Sequence, residues 1–339
     1  MIRIVDWNGP GERWDAFVCA ASDGTVMHRH GWQTVLARSY GIRTFQLAAM
    51  DGDELCGVLP LALVTGPLLG RQLVSMPFMD YGGVCAAGHD KAEALLVQAA
   101  TDLARGRRAT LALRYARPAD LGLPSSHEKV TMMLDLGPTE DALWRRLPSE
   151  RRNRIRRAQK HGLSAAVRGI DALDDFYGVF AENMRDLGSP VHSRRFFEEV
   201  LREFPTSKLV LVMADSRAVG AGLMLIHAGM ISIPWVSSLR SHFDRYPNQL
   251  LYWEAMRFGI AEGHRVLDFG RSSVGSGTYE AKRQWGATPL QLHWYYHPET
   301  SAPPGDDVKR LDWATSVWRR LPVSVANAIG PWLRKQIPN

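Results

Sequence analysis

Three stretches of this 339-residue sequence combine residue types that could do chemistry. The densest in charge is SERRNRIRRAQKHGL, where Arg151, Arg152, Arg154, Arg156, Arg157 and Lys160 place six cations within ten residues. On a helix Arg152 and Arg156 share a face, with Lys160 one turn further, and like charges at that spacing repel. A bound anion would relieve the repulsion, and guanidinium forks suit phosphate. A solvated helix with Ile155 and Ala158 turned to the core explains the run equally well. The second stretch is FAENMRDLGSPVHSRRFF. Phe176, Phe180 and Met184 make an apolar stripe, and Asn183, Arg185 and Asp186 cluster at its polar end before a Gly-Ser-Pro stop. Such a cluster contacts substrate or caps the helix; for Asp186 alone the cap is favoured. The third, VLDFGRSSVGSGTYEAKRQWGA, reads as a strand to Phe269, a glycine-rich loop, then Tyr279, Lys282 and Trp285 spaced three apart. Loops held by a rigid sheet concentrate function. Lys282 is placed to donate to a developing oxyanion or a phosphate, with a lysine lying along apolar surface as the plainer reading.

Composition narrows the class. With 41 basic and 35 acidic residues the net charge is +6, which suits a phosphate- or carboxylate-bearing partner but not a dedicated nucleic-acid binder. Cys19, Cys56 and Cys85 are too few and too scattered for a disulfide framework or a zinc site. His28 and His30 lack helical ligand spacing, and no HExxH, GxSxG or P-loop lysine occurs. Without an apolar signal core or a span of ~20 apolar residues, the expected location is cytoplasmic. The tail carries Trp313, Val317, Trp318, Leu321, Val325, Ile329, Trp332 and Leu333 amid Arg310, Arg319, Arg320, Arg334 and Lys335. Pro322 and Pro331 are expected to break it into short helices. These would pack on the second lobe or lie peripherally on an anionic inner membrane.

The elements that must position these residues alternate. Helical periodicity covers Glu12–Ala20, His30–Ser39, Lys91–Arg105, Glu140–Arg146, Arg151–His161, Asp171–Leu187, Arg194–Glu203 and Asn248–Glu262. Strands are expected at Arg43–Met50, Leu55–Val64, Arg71–Met76, Gly82–Ala86, Ala109–Arg114, Lys208–Ala214, Ala218–His227, Ile231–Val236 and Arg265–Phe269, with Pro289–Tyr296 closing the second lobe. Two segments recur in order: QLAAMDGDELCGVLPLAL resembles LVLVMADSRAVGAGLMLI at an offset of 163, and GRRATLALR resembles GHRVLDFGR at 157. The repeat argues for duplication. The order strand-turn-strand, helix, strand gives mixed sheets flanked by helices, and it resembles the order of the GNAT N-acyltransferase fold; by that analogy the fold expected is α/β (α+β), two tandem GNAT-like lobes over 1–136 and 137–300, with a helical tail at 301–339.

On RRNRIRRAQKHGL, NMRDLGSPV, the Ser237-Ser238 to Asn248-Gln-Leu-Leu-Tyr252-Trp stretch and DFGRSSVGSGTYEAKRQWGA, the chain resembles the FemAB family of peptide-bond-forming acyltransferases. It is similar in particular to the FemAB-like proteins of exosortase/PEP-CTERM and exopolysaccharide systems. The resemblance implies twin GNAT-like lobes that pass an amino acid from aminoacyl-tRNA to an amine of an envelope precursor. It places the family lysine on Lys282 and acceptor phosphate contacts on Arg152 and Arg156. The long helical hairpin of some members is missing here, which weighs against tRNA as donor. Arg217–Gly222 matches the R-x-x-G-x-G pyrophosphate loop of coenzyme-A-dependent GNAT enzymes, but that loop must open a helix, and here it runs into a strand. The position where it belongs reads SSLRSHFDRYPN, without glycine. The expected reaction is therefore acyl or aminoacyl transfer to an amine by direct attack, with aminoacyl-tRNA or acyl-coenzyme A as donor substrate and no cofactor. Lys282, Tyr279 and Arg271 would be catalytic. Arg152, Arg156, Lys160, Asn183, Arg185, Ser237, Ser238, Asn248, Tyr252 and Trp285 would bind a phosphate-bearing, lipid- or nucleotide-linked acceptor. Asp268 would orient the amine or serve the strand. The rivals are a coenzyme-A-dependent acyltransferase on a polysaccharide or small amine, and a non-catalytic scaffold of an envelope-assembly system.

Overall fold

The computed structural model describes residues 1–67, 70–297 and 315–338. The chain forms two seven-stranded mixed sheets. The first takes β1 (Ile2–Asp6), β2 (Arg43–Asp51), β3 (Glu54–Gly66), β4 (Gly70–Val74), β5 (Thr110–Tyr115) and β6 (Ser125–Ser126). The second takes β7 (Lys129–Asp135), β8 (Leu163–Arg168), β9 (Lys208–Ala214), β10 (Arg217–His227), β11 (Met230–Ser238), β12 (Val266–Ser273) and β13 (Thr288–Gln291). One strand late in the chain, β14 (His293–His297), joins the first sheet. The strand orders are β1-β2-β3-β4-β5-β14-β6 and β13-β7-β12-β11-β10-β9-β8. Matched position by position they are the same sheet twice. The hairpin β2–β3 answers β9–β10, and the parallel pairs β4–β5 and β11–β12 correspond. This is the duplicated α/β architecture that the internal repeat announces.

One step departs from tandem order. After β5 and the two-residue β6, β7 enters the second sheet, while β14, which comes after β12 and β13, enters the first. The expectation that Pro289–Tyr296 closes the second lobe is therefore corrected. That stretch splits, with β13 in the second sheet and β14 pairing antiparallel with β5, Tyr295 opposite Leu113. The division into compact units follows the exchange. One unit is Met1–Lys129 joined by β14 and by the chain from Trp332 on; the other is Val130–Leu290 with the described residues up to Pro331. The first stretch of the first unit ends at Lys129, and residues 315–338 divide between the units after Pro331. Residues 301–314, with Arg310 and Trp313, lie outside the described residues.

The helices are α1 (Gly11–Ala20), α2 (Trp32–Tyr40), α3 (Asp90–Gly106), α4 (Glu140–Arg146), α5 (Ser149–Lys160), α6 (Leu173–Leu187), α7 (Arg194–Glu203), α8 (Pro247–Ala261), α9 (Gly277–Arg283) and α10 (Val323–Arg334). In the second unit the stripe of α6 buries Phe176 and Phe180 against Phe197 of α7, with ring centroids 4.9 and 5.0 Å apart. The apolar rows of β9–β11 are buried on both faces, as expected where helices cover both sides. In the first unit α3 lays Ala92, Leu96 and Ala100 on the sheet. Gly82–Ala86 is no strand; it is a buried segment joined to β3 by a single bridge, Val58 to Cys85. Pro331 sits inside α10 and does not break it. Among the described residues no helix is long and apolar enough to cross a membrane.

Candidate active site

The second sheet opens where its parallel pair ends. β11 and β12 are paired only over Met230–Ser232 and Val266–Asp268, yet run on to Ser238 and Ser273. The cause is legible in β11: its register with β10 jumps from Leu223↔Trp235 to Leu225↔Ser232, so a bulge holds Pro234. A proline has no N–H for a ladder and is tolerated in sheets at bulges, which bend the strand. Leu239 donates its N–H to Val219 of β10 at 2.9 Å. Alternation along the strand then turns the N–H groups of Val236 and Ser238 to the other edge, where β12 has diverged. The result is a slot with backbone donors on one wall, suited to an extended amide chain or to polarising a carbonyl.

The residues flanking the slot fall on two faces. Asn183 of α6 donates from Nδ2 to Ser237 Oγ at 2.9 Å, and Ser238 Oγ donates to Asn248 Oδ1 of α8 at 2.7 Å. Successive side chains of a strand point oppositely, so Asn183 and Ser237 lie on the α6 face, Ser238 and Asn248 on the α8 face. Arg185 belongs to neither set. Its Nε donates to Asp186 at 2.6 Å and its Nη1 to the carbonyl of Leu321 at 3.0 Å, tying α6 to the chain before α10.

On the α8 face three side chains fold the glycine-rich loop. Asp268, buried, accepts from Thr131 and from Gly270 N at 2.8 Å. Ser276 caps α9 by accepting from Tyr279 N at 3.2 Å. Lys282 donates from Nζ to the carbonyls of Gly270 and Arg271, each at 2.9 Å. In this state the ammonium clamps the loop to α9, half-buried at the end of β12. Asp268 likewise fixes the loop through Gly270. Tyr279 is half-exposed on α9. Trp285, just beyond the helix, is buried 6.0 Å from Tyr252 and 6.4 Å from Phe269. Burial pushes the Tyr252 hydroxyl above its ordinary pKa.

The cationic helix turns a different arginine inward than its spacing suggested. Arg151, Ile155 and Ala158 form the buried face of α5, and Arg151 is 3% exposed. Its Nη2 donates to Gln284, its guanidinium lies 5.6 Å over Trp285, and its buried Nε has no hydrogen-bond partner. Burial, seconded by the nearby Arg154 charge, lowers its pKa. Arg156 and Lys160 are exposed, Arg156 against Trp144 at 5.3 Å, and Arg152 is half-buried. Arg154 and Arg157 stack on Tyr246 at 5.7 and 4.9 Å, where a left-handed φ of 61° turns the chain into α8. The structure thus gathers Arg151, Lys282, Trp285, Tyr252 and Phe269 at one end of the slot. The signal for Arg151 was its i, i+4, i+7 spacing with Ile155 and Ala158.

This slot-bearing segment has relatives. Residues 149–283 match the acetyltransferase (GNAT) domain. The match bears out an acyltransferase. No curated protein matches the chain in sequence. Among solved structures the chain is similar to FemX, with 14% identity, a TM-score of 0.68, and 86% of this chain and 97% of that one covered. It is also similar to the C-terminal domain of a putative lysylphosphatidylglycerol synthetase of Agrobacterium fabrum (13% identity, 84% and 90% covered, TM-score 0.59). A tandem GNAT protein of the clavulanic acid biosynthesis pathway gives 14% identity, 87% and 97% covered, and a TM-score of 0.53. At these identities the likeness is one of fold: two GNAT-like lobes in one chain. The R-x-x-G-x-G string lies within β10, in strand conformation, and SSLRSHFDRYPN runs from the end of β11 through a 3-10 turn, Arg240–Arg245, into α8.

Proposed function

We propose that this chain transfers an acyl or aminoacyl group to an amine of a cell-envelope or exopolysaccharide precursor by direct attack. The observation that carries the reading is the slot between β11 and β12, with Val236 and Ser238 N–H groups on its wall and Arg151 and Lys282 at one end. The amine nitrogen bonds to the acyl carbon, the ester C–O or thioester C–S bond breaks, and the proton lost by nitrogen ends on the leaving oxygen or sulfur. The tetrahedral oxyanion is held by the slot's N–H donors, each such donor typically changing turnover by ~10²–10³. Lys282 fixes the loop and supplies positive charge there, seconded by Arg271 and Tyr279. Arg151 takes a phosphate of the incoming substrate, and Arg152, Arg156 and Lys160 on the outer face of α5 take a further one. The donor enters as substrate, and no resident cofactor enters the scheme.

FemX and the lysylphosphatidylglycerol synthetase domain, as fold relatives, favour an aminoacyl donor and a lipid-linked partner. An exosortase/PEP-CTERM or exopolysaccharide acceptor rests on the residue resemblance alone. A lipid-linked acceptor places the protein at the inner membrane, and α10 suits that contact. Val325, Ile329 and Trp332 are exposed on one face, beside Arg320, Arg334 and Lys335. The acetyltransferase match keeps acyl-coenzyme A as the rival donor, although the 3-10 turn before α8 has no glycine to cradle a pyrophosphate.

The deciding experiment is a thermal-shift and transfer panel with charged tRNA, acyl-coenzyme A, and lipid- or nucleotide-diphosphate sugars. A ligand at a hundred times its Kd stabilises by about 2.7 kcal/mol. Stabilisation and labelled-product formation with charged tRNA and a diphosphate sugar support the proposal. A response to acyl-coenzyme A alone replaces the donor, and silence throughout favours the scaffold.

A further inference from the structure

Where α3 ends, four elements of the first unit bring cations together. Arg105 stands in the last turn of α3, and Arg107 and Arg108 follow it; Arg43 opens β2, Arg71 lies in β4, and His297 closes β14. Backbone pairing sets the strand residues at one edge of the sheet. Arg43 stands opposite Leu63, Leu63 opposite Leu73, Leu73 opposite Leu111, and Leu111 opposite His297. Arg71 lies two residues further out than Leu73 on β4. Those leucines belong to the core that α3 covers, so the cations gather on the α3 side. Arg71, Arg105, Arg108 and His297 line one cavity of about 540 Å³. Beside it, Arg43 and Arg107 both lie over the Phe45 ring, at 5.1 and 5.2 Å.

Ordinary surface charge does not explain this cluster. Arg105 is paired with Asp102 at 2.9 Å, but among the described residues Arg43, Arg71, Arg107 and Arg108 make no ion pair. The negative end of α3 favours cations and accounts for Arg105 and Arg107. It does not account for Arg43 and Arg71, which strands contribute. Arg108 is costlier still. It holds a left-handed φ of 51° just past the end of α3, where α5 and α8 have Gly162 and Gly263. Glycine adopts that conformation freely, and a side chain there is strained. The strain brings a guanidinium into the cavity beside Arg71, against the repulsion of like charges.

We propose that the cavity at the end of α3 is a binding site for a ligand carrying vicinal phosphates, such as a nucleoside or lipid diphosphate. Guanidinium forks match phosphate oxygens. Arg71, Arg105 and Arg108 hold the diphosphate, His297 adds a ring nitrogen, and Arg43 and Arg107 raise the local potential. Four cations without counter-charges exceed what a single phosphate, at about −1.5 to −2, neutralises. The site is built from the first unit alone, so the inference stands independently of the transfer reaction.

The test is calorimetric titration of the full chain with pyrophosphate, inorganic phosphate, ADP and farnesyl diphosphate. Pyrophosphate should fill at least one equivalent, and inorganic phosphate should bind it at least about tenfold more weakly. Arg71→Gln combined with Arg108→Gly should weaken that equivalent at least about tenfold; the glycine relieves the left-handed backbone, so the variant should fold. Arg151→Met combined with Arg156→Gln, which removes cations from the second unit, should retain it. The tighter of ADP and farnesyl diphosphate, either one supporting the proposal, names the carrier of the diphosphate. Absence of pyrophosphate binding, equal affinity for phosphate and pyrophosphate, or an isotherm unchanged in the folded first-unit variant overturns the proposal.

Discussion

Replacing Arg151 with methionine should separate stability from activity. The change removes a charged hydrogen bond to Gln284, worth about 1.5–3 kcal/mol, and the contact over Trp285, about 1–2 kcal/mol. Gln284 is exposed and regains water. Against these losses, the variant no longer buries an Nε–H without a partner, about 1–3 kcal/mol. It also relieves the desolvation of a cation that is 3% exposed, several kcal/mol. The unbranched methionine side chain fills most of the stem's volume. The net change lies between about −1 and +2 kcal/mol of stability, so the melting temperature should hold within about 4 °C or rise. If Arg151 pairs with a substrate phosphate, kcat/KM should fall by the roughly 30- to 1,000-fold that loss of one partner of a buried charge pair entails. Thermal melts and initial-rate transfer assays on the same preparation read both. A fall in melting temperature beyond about 8 °C would show that Arg151 ties α5 to α9 instead. An unshifted melt with unchanged kcat/KM would refute its role in binding.

Three further outcomes are expected. Lys282→Ala should cut turnover by roughly 10–10³-fold, and should speed hydrogen exchange over Gly270–Ser273 because the loop loses its clamp; normal turnover with a loosened loop would reduce Lys282 to structure. Trp332→Glu with Ile329→Glu should abolish co-sedimentation with anionic phosphatidylglycerol vesicles, each lost apolar side chain removing about 1.5–3 kcal/mol of burial, while leaving transfer to a water-soluble acceptor intact. Burial raises the Asp23 pKa, but hydrogen bonds from Ala86 and Ala87 N–H outweigh it and hold the group below 3.8. Its folded pKa being depressed, the stability it confers is present above that value and is lost as pH falls through the lower folded one. Asp23→Asn should therefore flatten the acid limb of a stability–pH curve below about pH 4.

Most local structure was legible because each element advertises itself over a few residues. The turn Asp215-Ser216-Arg217 set β9 and β10, and α4, α7 and β9 carry the very bounds their periodicity implied. What failed was long-range. Nothing near Lys129–Asp135 says that it belongs with a strand more than a hundred residues later, and β14 has the same alternation whichever sheet receives it. Gly82–Ala86 has a strand's composition, but only Cys85 finds a ladder partner. At the site, repulsion between like charges drew attention to Arg152, Arg156 and Lys160. Burial, which decides which arginine faces the loop, follows instead the apolar spacing of Ile155 and Ala158.

The exchange of β7 and β14 governs the order in which the protein can be made. When residues 1–136 have left the ribosome, the first sheet has its opening five strands. The partner of Tyr115 is still His293, not yet translated. β7 emerges early and waits for β12, which comes after both long helices α6 and α8. Co-translational folding from the N-terminus, the usual course for multi-lobed chains, is therefore held open until the last strand appears. Meanwhile β5 presents an unpaired edge of the kind that recruits other chains. Separate expression of the halves should give two aggregation-prone fragments that become soluble only when produced together.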